Sequence, residues 1–295
     1  MVVLPAATDR PANPLNLLWM EITGRCQLEC THCYAASGPR GTHGAMTTTD
    51  WIGVIDQASM LRTRDVQLIG GEPTLHPDMP AMVHHVLDHG IGVEVYTNMV
   101  KVTSELWRVF SRPGVRLATS YYSSKPTEHD TITGRRRSHE LTRSNIQEAV
   151  ARGIPIRAGM TKIHDGQDID GAIAELHSVR VERVTVDRLR HVGRGVGNGR
   201  PELDQLCGHC GRGNVAVSPS GDVWPCVFSR WLVLGNVRRQ PLSTILASPR
   251  AEGVREAIAC ALAGGPDEKC PPRDDGSPCQ NPLCPPHLQP RGSQR

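Results

Sequence analysis

Short β-rich runs alternate with amphipathic stretches through the central part of the chain. Residues 15–23, 66–69, 91–97, 115–120, 154–163 and 183–189 have the length and apolar content of strands. Between them, residues 49–61, 77–90, 103–110, 139–152 and 168–179 read as helices. Thr48 or Thr49 is an acceptable cap for the first, and Gly90 suits the end of the second. Strand alternating with helix predicts an α/β fold, with a parallel sheet and helical crossovers. Six βα units are too few to close an eight-stranded barrel. The expected architecture is an open, partial (β/α)6 barrel.

The texture changes after residue 189. Residues 191–201 are glycine-rich and read as a linker or domain hinge. A phosphate cradle is the alternative, but no GK[ST] triplet and no clear following helix support it. Residues 215–218 and 222–226 read as a hairpin across Pro219-Ser220-Gly221, and residues 249–263 as a short helix. From Gly264 onward Pro, Gly and Cys prevail with little periodicity. Such a tail buries little apolar surface, so bound metal is the obvious agent to order it. Two units are expected: a core over residues 14–200 and a small cysteine-rich C-terminal domain over residues 201–295.

Composition narrows the class. Net charge is +3 from 33 basic and 30 acidic residues, too balanced for a nucleic-acid binder or a polybasic membrane anchor. Aromatic residues make up only 4%, so the core must rest on Val, Ile, Leu and Ala. No apolar run reaches the roughly 18 residues of a membrane helix, and the N-terminus has no export-signal pattern. The expectation is a cytoplasmic protein with reduced thiols. Its ten cysteines then point to metal or redox chemistry rather than disulfides. They fall into two sets. Cys26, Cys30 and Cys33 come first, and residues 34–206 contain none; Cys207, Cys210, Cys226, Cys260, Cys270, Cys279 and Cys284 follow.

The early set reads Cys26-Gln-Leu-Glu-Cys30-Thr-His-Cys33 and falls in the first βα loop. In parallel α/β folds that loop opens at the end of the sheet where active sites form. Three thiolates on one loop fit three irons of a [4Fe–4S] cluster, and the same spacing fits a zinc site completed by His32 or His43.

This CxxxCxxC pattern, with Gly70-Gly71-Glu72-Pro73 after the second strand, resembles the radical S-adenosylmethionine (SAM) superfamily. The resemblance implies that Cys26, Cys30 and Cys33 bind three irons and that SAM chelates the fourth. It implies that Gly70, Gly71 and Glu72 hold the SAM amino group. Glycines admit close backbone approach, and a carboxylate pairs with an ammonium. Reductive cleavage of SAM then yields a 5′-deoxyadenosyl radical that abstracts a substrate hydrogen. His32 stands where the family often has an aromatic residue near the adenine. Asn98 and Ser120, at the ends of the third and fourth strands, occupy places that often contact the SAM ribose or carboxylate. Either is equally a polar residue ending a strand. Arg135 is a further candidate for the carboxylate, or part of a solvated charge run with Arg136 and Arg137.

Cys210, ten residues, Gly221, four residues and Cys226 form a CxnGx4C pattern. It resembles the SPASM and twitch domains appended to many radical SAM enzymes, which bind auxiliary [4Fe–4S] clusters. By this resemblance Cys207, Cys210 and Cys226 begin one cluster, and Cys270, Cys279 and Cys284 complete it or start a second. The tail departs from the full SPASM spacing, and CxxC is also a zinc knuckle. Cys260 lies in the last predicted helix. It is a small buried hydrophobe, a cluster ligand, or a thiol that donates a hydrogen atom to a substrate radical, as in epimerases of this superfamily.

Three other features stand out. His85 and His89 have the i,i+4 spacing of a metal pair, with His84 beside them, but lack the glutamate of HExxH and read as an exposed face. Tyr121 and Tyr122 suit a pocket wall or the core. Asp187, Arg188 and Arg190 cluster where the sixth strand ends and where a polar substrate would be held. The resemblance implies a radical SAM enzyme of natural-product biosynthesis served by an electron donor such as flavodoxin or ferredoxin. Its substrate is expected to be a ribosomal precursor peptide that is crosslinked, epimerised or oxidised. The alternative is an aminoglycoside or other small polar metabolite, epimerised or dehydrogenated, with Cys260 as the hydrogen-atom donor.

Overall fold

The structure is a computed structural model that describes residues 15–262. Cys270, Cys279 and Cys284 lie outside the described residues. In chain order the elements are β1 (Leu17–Glu21), α1 (Thr48–Met60), β2 (Asp65–Ile69), α2 (Met79–Asp88), β3 (Gly92–Tyr96) and α3 (Ser104–Phe110). There follow β4 (Val115–Ser120), α4 (Pro126–Thr133), α5 (Ser138–Ala151), β5 (Ile156–Lys162), α6 (Ile169–Ser178) and β6 (Val184–Arg188). The C-terminal part holds β7 (Asn214–Val217), β8 (Asp222–Trp224), β9 (Gly235–Asn236), α7 (Leu242–Leu246) and α8 (Pro249–Ala261).

All nine strands form one sheet in the order β6-β5-β4-β3-β2-β1-β7-β8-β9. The pairs from β6 through β1 to β7 are parallel, and β8 and β9 turn back antiparallel. The predicted parallel α/β architecture is therefore present, as an open, partial barrel. The hairpin assigned to the C-terminal unit extends this sheet directly, with Trp19 of β1 opposite Gln67 on one side and Ala216 on the other. Arg230 fastens the join. It pairs with the buried Glu21 and lies 4.3 Å above the Trp224 ring.

Strand alternation divides the sheet into two faces. Leu18, Met20, Val66, Leu68, Val93 and Val95 are fully buried against Val54, Ile55, Val83 and Val86 of the helices. Each such side chain contributes about 1.5–3 kcal/mol of burial free energy. The alternate positions Trp19, Gln67 and Tyr96 line a cavity on the concave face. Glu94 on that face receives Gln67 and both arms of Arg157, at 2.6 and 2.9 Å for the arginine. A parallel sheet is usually apolar on both faces, and this polar lattice marks the concave face as a binding surface.

Local caps refine the expected boundaries. The first helix is capped by Thr47 rather than Thr48 or Thr49, in a reciprocal box with Asp50. Helix α4 was not expected. Its sequence PTEHDTIT has no apolar stripe, and Pro126 at its first turn starts it.

Candidate functional site

The cavity encloses about 350 Å³ at the C-terminal ends of the parallel strands. Cys26, Cys30 and Cys33 all line it, as do His32, Gly70, Gly71, Asn98, Ser120 and Arg190. The two motifs are zipped together by backbone hydrogen bonds, from Gly71 N to Thr23 O at 2.6 Å and from Glu72 N to Arg25 O at 2.8 Å. A Cβ on Gly71 would sit 2.3 Å from Arg25 O, so only glycine permits this approach.

The donor set is chemically incomplete by itself. Burial and the neighbouring Glu72 carboxylate push the Cys26 thiol up to about 12. Burial and the other two cysteines push Cys30 up to about 12. Closely placed buried thiols resist becoming thiolates together unless a cation compensates them. That is the environment an iron–sulfur cluster completes. Asn98 Nδ2 lies 3.7 Å from the Cys26 sulfur, and the Asn98 side chain is held by Gln27 at 3.1 Å. Ser120 is held by Tyr96, at 3.4 Å.

Three cavity-lining residues have a buried polar atom without a protein partner: His32 at Nδ1, Ser37 at Oγ and His129 at Nε2. Burial, and then the Arg194 charge, hold the His32 imidazole down to about 4, so it is neutral at pH 7. The His32 ring meets Tyr122 edge-on at 4.9 Å. Buried unpartnered groups facing one cavity are what a polar ligand satisfies. Together with the thiols and the glycine cradle, they fit a cluster plus a zwitterionic ligand.

Some placements depart from expectation. The Glu72 carboxylate is fully buried and is not among the cavity-lining residues. It accepts hydrogen bonds from Thr74 N and Oγ1, Thr97 Oγ1 and Asn98 N, at 2.7–3.1 Å. Three of those donors meet Oε1 and one meets Oε2, so the carboxylate braces the glycine cradle from behind. Arg135 is exposed and does not line the cavity. Tyr121 and Tyr122 separate: Tyr122 lines the cavity, whereas Tyr121 is buried and bonds His139 and Glu175.

Residues 191–201 are not a free hinge at their start. Gly193, at φ +59°, lies against the cysteine loop, where a Cβ would meet Tyr34 O at 2.2 Å. Arg194 N donates to Cys33 O at 2.9 Å. Its guanidinium donates to Cys30 O at 2.7 Å and Ser37 O at 2.8 Å. Arg194 and His129 are the residues that sequence reasoning missed. The only prior signal for Arg194 was an arginine between two glycines, and His129 sits on the unexpected α4.

The second cysteine set is gathered by the β7–β8 turn. Cys210 Sγ is 3.1 Å from Cys226 Sγ and 4.0 Å from Cys207 Sγ. Hydrogen bonds within this trio, with burial, push the Cys210 thiol upward. Trp19 and Phe228 line the cavity and also pack on the cluster of Cys210 and Cys226. They form the wall between the two cysteine sets. Cys260 is buried on α8 and, unlike the six other described cysteines, is not a free thiol. A hydrogen-donor role needs its reduced S–H form.

Sequence comparison agrees with this geometry. Residues 20–176 match the radical SAM superfamily, and residues 207–272 match the SPASM iron–sulfur cluster-binding domain. The chain belongs to the radical SAM superfamily. That membership brings SAM and [4Fe–4S] clusters as cofactors. Mycofactocin maturase MftC of Mycobacterium tuberculosis is 31% identical over 62% of this chain and 46% of its own length. The chain thus spans about half of that relative. PqqA peptide cyclase of Streptomyces rochei is 25% identical over 81% of this chain and 77% of its own. Among solved structures, Streptococcus suis SuiB bound to precursor peptide SuiA superposes with a TM-score of 0.71 at 15% identity, over 83% of this chain and 67% of SuiB. That likeness is one of fold. Among the described residues, no helix is long and apolar enough to cross a membrane.

Proposed function

We propose that this radical SAM enzyme modifies a ribosomal precursor peptide in natural-product biosynthesis. The observation that carries the reading is one cavity lined by both the CxxxCxxC loop and the GGEP glycines, with the SPASM-type cysteines behind its wall. The curated relatives named for peptide maturation and peptide cyclisation support the substrate class. When bound, the cluster and SAM supply a 5′-deoxyadenosyl radical that takes a hydrogen atom from substrate.

The chain's own residues then have distinct tasks. Cys26, Cys30 and Cys33 hold the cluster. Gly70 and Gly71 offer backbone to the SAM amino group, and Glu72 fixes their conformation. Asn98 and Ser120 take polar SAM groups, and His32 lies beside the adenine. Trp19, Tyr34 and Phe228 give an apolar wall that excludes water. Asp187 and Arg190 form a pair at 3.1 Å on the cavity lining, placed for a polar part of the substrate. Residues 14–200 act as the SAM unit and residues 201–295 as the auxiliary unit, with Cys207, Cys210, Cys226 and tail cysteines as auxiliary ligands.

The test is reconstitution with iron and sulfide, reduction, and addition of SAM with peptides encoded beside the gene. The expected result is 5′-deoxyadenosine together with a peptide changed in mass or in stereochemistry. Turnover of an aminocyclitol with no change in any peptide overturns the peptide assignment. Absence of 5′-deoxyadenosine overturns the enzymatic reading. An iron count of about eight or about twelve per chain distinguishes one auxiliary [4Fe–4S] cluster from two.

A further inference from the structure

The outer face of the helical layer carries a second donor cluster, which the proposed function does not use. His85 and His89 lie one turn apart at the C-terminal end of α2. Asp56 reaches them from the neighbouring helix α1. Asp56 Oδ1 is 2.6 Å from His85 Nε2 and 2.9 Å from His89 Nε2, and the two Nε2 atoms are 3.3 Å apart. Both histidines therefore turn the same ring nitrogen toward one point. Their rings meet at 82°, so they do not stack, and their nitrogens converge.

We propose that Asp56, His85 and His89 form a divalent transition-metal site, best suited to Zn²⁺, that joins α1 to α2. Two imidazoles and a carboxylate are a borderline donor set of the kind Zn²⁺ takes in three-ligand sites, with water in the remaining position. Zinc–nitrogen bonds of about 2.0–2.1 Å place neighbouring tetrahedral ligands about 3.3–3.4 Å apart. The His85–His89 nitrogen separation of 3.3 Å already has that value. The Asp56 oxygen, at 2.6 and 2.9 Å, must withdraw by about 0.7 Å from His85 and about 0.4 Å from His89. Its side chain is 43% exposed and has room to rotate, while the histidines, at 30% and 31%, remain open to an ion from solvent.

The competing arrangement is a hydrogen-bonded trio, with Asp56 accepting from the rings. Those bonds hold the Asp56 carboxyl below its ordinary range. The two arrangements differ in what they bind. The metal site lies on the helical layer, apart from the cavity, so its loss leaves the SAM site in place. It holds together the helices that flank β2, whose end carries Gly70 and Gly71. Its occupancy therefore reads out as stability rather than chemistry.

The experiment uses the cluster-loaded full chain, freed of loosely held metal with a mild chelator and titrated with Zn²⁺ alone. Wild type is expected to bind one Zn²⁺ per chain and to gain on the order of 5 °C in Tm near a hundredfold excess over Kd. His89→Gln and Asp56→Asn are expected to weaken that binding at least tenfold and to abolish the Tm gain. Both variants should keep wild-type iron content and 5′-deoxyadenosine formation. Zn²⁺ stoichiometry and Tm response unchanged in both variants overturn the proposal, because the ion then sits elsewhere. No Zn²⁺ uptake by wild type also overturns it and leaves the hydrogen-bonded trio.

Discussion

Cys26, Cys30 and Cys33 stand on one loop, whereas Cys207, Cys210 and Cys226 are brought together across the turn at Gly221. The first set is held by backbone: the loop binds the GGEP segment, α4 and the Arg194 segment through main-chain hydrogen bonds. Its sulfurs face a cavity. The second set is packed among Leu206, Ile258, Trp19 and Phe228 on the far side of that cavity's wall. A site built on one loop keeps its donor spacing when distant parts of the chain change. A site built by tertiary packing depends on the hairpin, α8 and the sheet extension together. The first design leaves room for an exchangeable ligand. The second buries Cys210 and Cys226, as suits a group that stays in place.

The sharpest way to break this comparison is to remove one sulfur from each set. Cys26→Ala should abolish 5′-deoxyadenosine formation, by more than about a thousandfold, and remove about four irons while leaving the auxiliary irons. Cys226→Ala should remove auxiliary iron and stop product formation, but leave SAM cleavage within a few fold of wild type. If Cys226→Ala lost SAM cleavage as completely as Cys26→Ala, the two sets would be one cooperative unit and the contrast would fail. Iron analysis and 5′-deoxyadenosine quantification in the two purified variants decide it.

A smaller effect is expected at Arg194. Its guanidinium donates to the Cys30 and Ser37 carbonyls, so Arg194→Ala leaves the Ser37 carbonyl unpaired and the Cys30 carbonyl with only the Cys33 N–H, at 3.3 Å. Each unpaired buried acceptor costs about 1–3 kcal/mol. Arg194 acts by positioning the loop, so the expected outcome is a SAM Kd raised about tenfold and an altered electron paramagnetic resonance signal of the reduced cluster. Arg194→Lys restores one donor and should recover part of the affinity. Wild-type Kd and signal in Arg194→Ala would show that the loop holds its shape unaided.

The two regions also differed in how much of them could be read beforehand. The alternating strands, both early motifs and the Gly221 hairpin were visible because each depends on residues close in sequence. What was missed depends on contacts between distant residues. Arg194 looked like part of a hinge, since a glycine run carries no record of what it packs against. Helix α4 lacks an apolar stripe because it covers the cavity with His129 and Thr133 rather than filling the core. Glu72 was expected beside the ligand, and only the fold shows Thr74, Thr97 and Asn98 arriving to bond its carboxylate. The parallel pairing of β7 with β1 was hidden for the same reason: it joins segments almost two hundred residues apart. Asp56 likewise meets His85 and His89 only through the packing of α1 on α2.

The smallest expected effect concerns His129, which lines the first site. Burial, and then the neighbouring His139, hold its imidazole down to about 4, against an ordinary value of 6.5. The unfolded chain therefore takes up a proton near pH 6.5 that the folded chain refuses until about pH 4. Between those values the unfolded state binds more protons, so stability is full above about pH 6.5 and declines as pH falls toward 4. Lowering the pH from about 7.5 to about 5.5 should cost about 1 kcal/mol through this group. His129→Gln removes the titration and keeps an amide that can bond Ser138. Denaturant melts of wild type and His129→Gln at both pH values measure the difference directly. Wild type should lose about 1 kcal/mol more than the variant on acidification. Equal losses would mean that His129 is protonated in the folded protein at the lower pH, and that the cavity is wetter than its buried, unpartnered nitrogen indicates.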